Sequence, residues 1–213
     1  MREAVRKTGG ETMAVSAVNI LGVIGSPRSD SVSSSFVAAV LAEAGARGAA
    51  TRVLDLRHQP LPLFDPGAET DGAVAAARKM VVWADALVLG TPDFHGAPSG
   101  ILKNFMDHFW KEFAGKLFGI VVSSYEKGLT VQDHLRTSVR QCYGWSLPYG
   151  TGAPPEALDD AGEVCDPRIR QRLHMMARDL AVYGALLRAQ RLVDLAGPRD
   201  PAASGFMARM HLD

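Results

Sequence analysis

The sequence predicts an α/β fold in which helices cover both faces of a parallel β-sheet. Two observations predict it: short apolar runs recur along the chain, and each is followed by a segment with helical spacing of apolar residues. Runs such as VNILGVIG (18–25) and DALVLGTP (85–92) are continuously apolar, which indicates strands buried on both faces. With 213 residues, the chain is long enough for one domain with a substantial core.

Five strands and five helices are predicted, in alternation. The strands are expected at 18–25, 50–56, 85–92, 116–124 and, with a weaker pattern, 145–150. The helices are expected at 33–47, 74–84, 100–113, 129–143 and 167–189, the last with Asp166 as N-cap and Pro167 at its first position. This alternation is typical of a three-layer α/β/α sandwich, and five strands favour the flavodoxin-like order 2-1-3-4-5.

The domain is expected to span residues 17–196. Residues 1–16 are expected to be a flexible extension, within which Met13 could serve as a second start, and residues 197–213 a loose C-terminal tail. No window holds the ~18 apolar residues of a membrane span, so a cytoplasmic protein is expected. Cys142 and Cys165 are too few for a disulfide framework or a cysteine-rich metal site, and reduced thiols are expected.

The charge balance excludes some partners. Formal net charge is zero and the isoelectric point is near 7.0. A neutral chain gives no bulk attraction for nucleic acid or acidic lipid. It also argues against a strongly acidic electron carrier.

The loop after the first strand, GSPRSDSVSSSF (25–36), has the composition of a phosphate-binding loop. It leads into a helix N-terminus, where unpaired N–H groups and the helix dipole favour an anion. Hydroxyl donors and a positive charge are supplied by Ser26, Arg28, Ser31, Ser33 and Ser34. The dinucleotide glycine triad and the P-loop lysine are both missing, so neither of those loops is indicated. The alternative is a serine-rich helix cap without a ligand.

The loop after the third strand, TPDFHGAPSG (91–100), is predicted to support a flat ligand. Pro92 stiffens the loop, and Gly96 lets the backbone approach a ring closely. Phe94 can flank the ring, while backbone N–H groups from Asp93 to His95 can bond its heteroatoms. Sheets of this kind bind ligands at the carboxyl ends of strands 1 and 3, where this loop and the serine-rich loop meet.

Two other interpretations of this loop are rejected. A hydrolase nucleophile elbow requires G-x-S-x-G, but Gly96–Gly100 reads GAPSG and places Pro98 at the nucleophile position. A metal site is not indicated, because Asp93, His95 and His108 lack a ligand spacing.

The loop after the fourth strand, SSYEKGLT (123–130), is predicted to enclose the other edge of the ring. The residues available for this are Ser123, Ser124, Tyr125 and Gly128, and Lys127 could neutralise charge on the ring. The alternative is an ordinary capped turn into the next helix.

Taken together, these loops resemble those of the NAD(P)H-dependent FMN reductase family of flavodoxin-like proteins. GSPRSDSVS is similar to that family's phosphate loop, G-S-x-R-x-x-S-x-[NS], at Gly25, Ser26, Arg28, Ser31 and Ser33. TPDFHGAPSGILKNFMDH is similar to its [TS]-P-[ED]-[YF]-x-x-x-x-[SP]-G-x-L-K-N-x-x-D segment. The entry into the last helix, DDAGEVCDPRIRQRL (159–173), also resembles the family, and the similarity spans about residues 18–190.

The chain departs from the family at two places. His95 stands where the family often has asparagine. Tyr125, Glu126 and Lys127 precede Gly128 in a loop that often holds several glycines.

The resemblance implies a non-covalently bound FMN with NADPH or NADH as electron donor. It places the phosphate on the five residues of the serine-rich loop and the ring against residues 92–95 and 123–128. Hydride would pass to the flavin and electrons onward to a small acceptor such as free flavin or a quinone, so no catalytic side chain is expected. Lys127 would stabilise negative charge on the reduced ring. A flavodoxin-type electron carrier and a non-catalytic flavin-binding module remain as alternatives.

The predicted helix 100–113 has a wide apolar surface. Ile101, Phe105 and Phe109 form one stripe, and the flanks carry Leu102, Met106, Trp110 and Phe113. An arc this wide exceeds what packing on one side of a sheet requires. We therefore expect the helix to form a subunit interface, in the homodimer or homotetramer that the resemblance implies; the alternative is burial inside one large core.

Overall fold

The computed structural model describes residues 18–69 and 71–210, and the expected extension at 1–16 lies outside this range. Its parallel sheet has the order β2-β1-β3-β4-β5, which confirms the predicted topology. The strands are β1 (Asn19–Ile24), β2 (Ala50–Asp55), β3 (Ala86–Pro92), β4 (Leu117–Ser123), β5 (Trp145–Ser146) and β6 (Thr151–Ala153). The α-helices are α1 (Val32–Ala46), α2 (Gly72–Trp83), α3 (Gly100–Asp107), α4 (Leu129–Gln141), α5 (Pro167–Ala196) and α6 (Pro201–Ser204).

The sheet separates two apolar cores. On one face, α1 and α5 pack over residues such as Ile20, Val88 and Val121. On the other face, α2, α3 and α4 pack over residues such as Leu21 and Leu89. Neighbouring residues of one strand thus point into different cores, which explains why the strands are continuously apolar. Because helices cover both faces of the sheet, a ligand can reach it only at the carboxyl or amino ends of the strands.

The prediction of a fifth strand at 145–150 is wrong, because these residues do not form one strand. Instead, β5 and β6 both pair with β4, at its beginning and at its end respectively. Between them lies Pro148, which has no N–H to donate to a sheet ladder. The chain leaves the sheet at this proline and returns at Thr151, so the edge strand is divided into two short pieces.

Two helix ends also differ from prediction. α3 ends at Asp107, and a separate 3₁₀ turn covers Lys111–Phe113. In this turn the Glu112 carboxylate accepts a hydrogen bond from the Trp110 N–H and forms an ion pair with Arg78. α5 continues past 189 to Ala196, because residues 190–196 contain neither proline nor glycine, and it ends at Gly197. None of the described helices is both long and apolar enough to cross a bilayer.

The tail after residue 197 is not loose over residues 201–210. α6 is followed by a 3₁₀ helix over Gly205–Met210, and Met207 and Met210 are each 3% exposed beside Ala114. The Phe206 ring stacks on Tyr143 with centroids 5.8 Å apart. Buried methionine and aromatic contacts therefore hold this segment against the domain.

The wide apolar surface predicted at 100–113 is mostly buried by contacts within the same chain. Phe105, Phe109 and Phe113 are 0–2% exposed and contact one another edge to face or tilted. Only Trp110, at 52%, is strongly exposed among the apolar residues of that prediction. These phenylalanines are therefore buried within one chain, as the alternative expected, and a subunit interface through this helix stays a prediction.

Candidate functional site

A cavity of about 650 Å³ opens at the carboxyl edge of the sheet, where the loops after β1, β3 and β4 meet. This volume lies in the range of small-molecule sites. Most of the predicted site residues line it: Ser26, Arg28, Ser31, Pro92, Asp93, Phe94, His95, Gly96, Ser123, Ser124 and Tyr125. The remaining lining residues are Asp30, Val32, Glu126, Thr130 and Pro155. The structure therefore brings the three predicted loops together at one cavity.

Four predicted residues do not reach the cavity surface, and two of these belong to the serine-rich loop. Ser33 is fully buried, and its hydroxyl lies 2.9 Å from the Ser31 hydroxyl, which does line the cavity. The Ser34 N–H donates to Ser31 Oγ at 3.3 Å, so Ser31 is the N-cap of α1. The Ser34 hydroxyl oxygen is buried and has no hydrogen-bond partner among the described residues.

Lys127 and Gly128 also lie outside the cavity lining, since they form the turn that begins α4. Both have positive φ angles, 65° and 60°. The Lys127 carbonyl accepts from Gln132 Nε2 at 2.9 Å and packs so tightly against Gly152 that no β-carbon would fit there. The Lys127 side chain is exposed. The turn thus uses the backbone of these residues to connect α4 to β6.

The two charged residues of the serine-rich loop, Arg28 and Asp30, both line the cavity and pair with each other. Arg28 Nη2 lies 3.0 Å from Asp30 Oδ2, and the two side chains are 68% and 70% exposed. Their hydrogen bond raises the pKa of Arg28 and lowers the pKa of Asp30. An ion pair this exposed is weak, so the guanidinium is available to an anionic ligand.

Arg57 lies outside the serine-rich loop and binds two of its backbone carbonyls. Its Nη1 donates to the carbonyl oxygens of Arg28 at 2.6 Å and Ser29 at 3.0 Å. The Arg57 Nε donates to the carboxylate of Asp55, the last residue of β2, at 2.9 Å. This hydrogen bond lowers the pKa of Asp55. No local pattern in the sequence points to Arg57, because it lies almost thirty residues from the carbonyls that it contacts.

Asp93 connects the two loops that flank the cavity. One of its carboxylate oxygens accepts from the Gly96 N–H at 2.8 Å, and the other accepts from the Ser124 hydroxyl at 2.9 Å. Its N–H donates to the Ser123 carbonyl at 2.9 Å. Asp93 therefore holds the loop after β3 in a fixed position relative to the loop after β4.

His95 occupies the tip of a two-residue turn. Phe94 and Ala97 exchange N–H···O bonds of 3.0 and 3.2 Å, and the φ angles of His95 and Gly96 are 59° and 79°. Two consecutive positive φ angles are the requirement of type I′ turns. Asparagine and histidine adopt this conformation more readily than most residues, which accounts for either residue at this position.

Ser99 joins the loop after β3 to the serine-rich loop. It is the N-cap of α3, accepts from the Leu102 N–H at 3.2 Å and donates its hydroxyl to the Gly25 carbonyl. A β-carbon at Gly25 would lie 2.6 Å from Leu102 Cβ, so only glycine allows this contact. The serine immediately before a helical pattern is a recognisable N-cap signal, from which Ser99 could have been identified.

The comparisons with known proteins identify the family. Residues 18–158 match the family described as NADPH-dependent FMN reductase. The chain belongs to this family. It is also 34% identical over 106 residues to the FMN-dependent NADPH-azoreductases of Staphylococcus haemolyticus and Staphylococcus aureus, over 45% of this chain and 55% of those proteins. The chain thus spans about half the length of the curated relatives it matches.

Solved structures show the same fold at lower identity. The flavoenzyme NAD(P)H:(acceptor) oxidoreductase FerB from Paracoccus denitrificans superposes with a TM-score of 0.67 at 18% identity, covering 79% of this chain and 97% of that one. An NADH:FMN oxidoreductase in its apo form gives 0.65 at 18%, covering 78% and 90%. A Streptococcus pneumonia TIGR4 flavodoxin gives a TM-score of 0.55 at 13% identity, covering 78% of this chain and 99% of that one. These likenesses establish the flavodoxin-like fold of the present chain.

Proposed function

We propose that this protein is an FMN-dependent oxidoreductase that takes electrons from NADPH or NADH and passes them to a small acceptor. The observation that carries the proposal is the single cavity built from the serine-rich loop and the two loops that follow β3 and β4. Family membership supports the same cofactor and donor.

The serine-rich loop fits a phosphate. It supplies the hydroxyls of Ser26 and Ser31 and the guanidinium of Arg28 at the cavity surface, beside the N-terminus of α1. The buried Ser34 hydroxyl has no partner among the described residues, which is consistent with a group that donates to an added anionic oxygen. Ser33 would act indirectly, by orienting the Ser31 hydroxyl.

The other two loops fit a flat ring. The segment from Pro92 to Gly96 is held rigid by its turn and by Asp93, and the segment from Ser123 to Tyr125 faces it across the cavity. The N–H groups of Asp93 and Phe94, which were expected to bond the ring, instead donate to the carbonyls of Ser123 and Ala97, so they shape the loop rather than contact a ligand. Lys127, whose side chain lies outside the cavity lining, would act on a reduced ring only at longer range.

When bound, FMN supplies the hydride and electron transfer, and the protein supplies placement. Phe94 and Tyr125 are 43% and 75% exposed at the cavity mouth, where their rings offer apolar contacts to a planar donor or acceptor. Arg28 offers a positive charge for the phosphate of the cofactor or the donor. This arrangement requires no side-chain acid, base or nucleophile.

The acceptors that we propose are free flavin, quinones and azo compounds. Flavin and quinone are the flat acceptors that the family resemblance implies, and the azo class is supported by the names of the staphylococcal relatives. A cytoplasmic location and a homodimer or homotetramer also belong to the proposal. Two free cysteines, Cys142 and Cys165, support a reducing compartment.

One experiment tests the function and separates it from the alternatives. The purified chain is titrated with FMN, and the loss of NADPH and NADH absorbance is then followed with free FMN, a quinone or an azo dye as acceptor. The proposal predicts a yellow complex and acceptor-dependent oxidation of the nicotinamide. A yellow protein without oxidation would favour a flavodoxin-type carrier or a non-catalytic module, and a protein that neither retains nor turns over FMN would refute the flavin proposal.

A further inference from the structure

A second pocket lies on the outer face of α4, away from the cavity formed by the three loops. Its volume is about 590 Å³, which lies in the range of small-molecule sites. One wall is the face of α4 that carries Arg136 and Arg140, and the other is the segment 143–146 with Phe206 beside it. Among the described residues, none lines both pockets. We call this second site the α4 pocket.

Two arginines bring positive charge to the α4 pocket. Arg136 and Arg140 are one helical turn apart and lie on the same face of α4. Arg136 Nη1 lies 2.9 Å from Asp133 Oδ1, and its Nη2 donates to the Pro148 carbonyl at 3.4 Å, so this side chain is held in place. The Arg140 side chain is exposed and has no hydrogen-bond or ion-pair partner among the described residues. Its guanidinium is therefore available to an anion from solution.

The opposite wall of the α4 pocket is aromatic. Trp145 is 50% exposed, although tryptophan side chains are largely buried on average. The Phe206 ring lies 6.5 Å from the Trp145 ring and stacks on Tyr143, so the three rings form one continuous surface. An exposed tryptophan ring offers a face on which a flat ligand can stack.

The backbone holds the aromatic wall in a fixed position. Tyr143 has a φ angle of 56°, a conformation that is uncommon for a residue other than glycine. Its N–H donates to the Arg140 carbonyl at 3.0 Å, and its carbonyl accepts from the Gly115 N–H at 2.9 Å. A β-carbon at Gly144 would lie 2.8 Å from Val139 Cγ1, so the next residue packs directly on the core. The pocket is therefore preformed, and a ligand would not have to order it.

We propose that the α4 pocket binds a planar aromatic anion, that is, a flat ring that carries a phosphate, sulfonate or carboxylate group. The ring lies on Trp145, and the anionic group pairs with Arg140 beside Arg136. A metal ion is not indicated, because Asp133 is the one acidic residue among the described lining residues and already pairs with Arg136. A polynucleotide requires a longer track of positive charge than two arginines provide.

The proposal does not depend on the proposed function. About 15 Å of helix separate Arg140 from Thr130, the residue of α4 that lines the first cavity. We therefore expect the α4 pocket to bind its ligand whether or not a flavin occupies the first cavity.

Isothermal titration calorimetry of the full chain tests the proposal. The protein is loaded with one equivalent of FMN, or used as purified if it takes up none, and is titrated with AMP and with naphthalene-2-sulfonate as two sources of the same chemistry. Adenosine and 2-naphthol carry the rings without the charge, and inorganic phosphate carries the charge without a ring. We expect at least one aromatic anion to bind about tenfold more tightly than these three controls. Equal binding of its controls, or no binding of either anion at millimolar concentration, would overturn the proposal.

Variants locate the binding site of the aromatic anion. Arg140→Ala and Trp145→Ala should each raise its dissociation constant by about fivefold or more, and Trp145→Phe, which keeps a ring, should recover part of the affinity. The matched control is Arg168→Ala, which removes an exposed arginine of α5 outside both pockets and should leave the dissociation constant unchanged. Circular dichroism confirms that each variant is folded. Unchanged affinity in Arg140→Ala, or a loss in Arg28→Ala that would place the ligand in the first cavity, would overturn the proposal.

Discussion

The two ends of the sheet use charged side chains in opposite ways. At the carboxyl end, Arg28 and Asp30 are about two-thirds exposed at the mouth of a cavity, and their mutual contact is weak. At the amino end, Asp85 is 4% exposed and its carboxylate contacts Arg191 at 2.9 Å and Arg188 at 3.2 Å. The carboxyl end therefore keeps charged groups available to a ligand, whereas the amino end uses Asp85 in buried ion pairs within the chain.

At the amino end, buried charged side chains also form hydrogen bonds with backbone groups. Asp85 also accepts from the Asn19 N–H at 3.0 Å, and Lys116, 3% exposed, donates its ammonium to the carbonyls of Val81 and Val82 at the end of α2. These contacts join β1, β3, α2 and α5. We therefore expect substitutions at the amino end to change stability, and substitutions at the carboxyl end to change ligand binding.

The largest expected effect is the loss of Asp85. Asp85→Ala leaves the Arg191 guanidinium without its carboxylate and the Asn19 N–H without its acceptor, which should lower the free energy of unfolding by about 3 kcal/mol. Chemical denaturation measures this change. The matched control, Asp30→Ala, removes an exposed acid that also pairs with an arginine and should leave the free energy of unfolding almost unchanged. Equal effects of the two substitutions would contradict the comparison.

The second expected effect is a pH dependence from Lys116. Burial and the nearby Arg191 lower the pKa of Lys116 to about 7 in the folded protein, from an ordinary value of 10.5. Between these values the unfolded chain holds a proton that the folded chain has released, so stability should rise with pH. The slope contributed by Lys116 is at most about 1.4 kcal/mol per pH unit and should vanish below pH 7.

Urea unfolding at several pH values between 6 and 10 tests this effect. Lys116→Met removes the titrating group, so its stability should rise less steeply above pH 7 than that of the wild type. Identical pH profiles for the two proteins would show that Lys116 is charged in the folded state throughout this range.

A smaller expected effect concerns binding at the carboxyl end. Arg57→Ala removes the two hydrogen bonds that hold the carbonyls of Arg28 and Ser29, so the serine-rich loop should lose its fixed shape. We expect the dissociation constant for FMN, measured by quenching of flavin fluorescence, to rise about tenfold, or about 1.4 kcal/mol. Arg57→Lys keeps the charge but not the forked geometry and should recover only part of the affinity. Full recovery by lysine would assign the effect to charge alone.

The smallest expected effect is at His95. His95→Asn should leave FMN affinity and stability unchanged, since asparagine also tolerates the φ of 59° required by the turn. His95→Val should lower stability by about 1 kcal/mol, because a β-branched residue is strained at positive φ. A large loss of FMN affinity in the asparagine variant, by fluorescence titration, would instead give the imidazole a direct part in binding.

The fold and the position of the site could be predicted because local patterns report them. Continuous apolar runs such as the one ending at Gly25 indicate strands buried on both faces, and the strand order then places the loops after β1 and β3 side by side. The division of the edge strand was missed, although Pro148 gave a signal for it.

The remaining differences depend on contacts between distant residues. Arg57 and Pro155 enter the site from segments that no local pattern connects with it. A helical projection shows Phe105 as surplus apolar surface, but its ring centroid lies 5.9 Å from that of Phe113 once the chain turns after α3. Periodicity identifies apolar faces but does not report whether the same chain or another one covers them.

The central claim is that the serine-rich loop binds the phosphate of FMN, and its most direct test is a comparison of two ligands. The protein is freed of flavin and titrated with FMN and with riboflavin, which carries the same ring without the phosphate, and both dissociation constants are measured by fluorescence quenching. The phosphate contacts of Ser26, Arg28 and Ser31 predict that FMN binds more tightly by about tenfold or more. Equal affinity for the two ligands, or binding of neither, would contradict the claim.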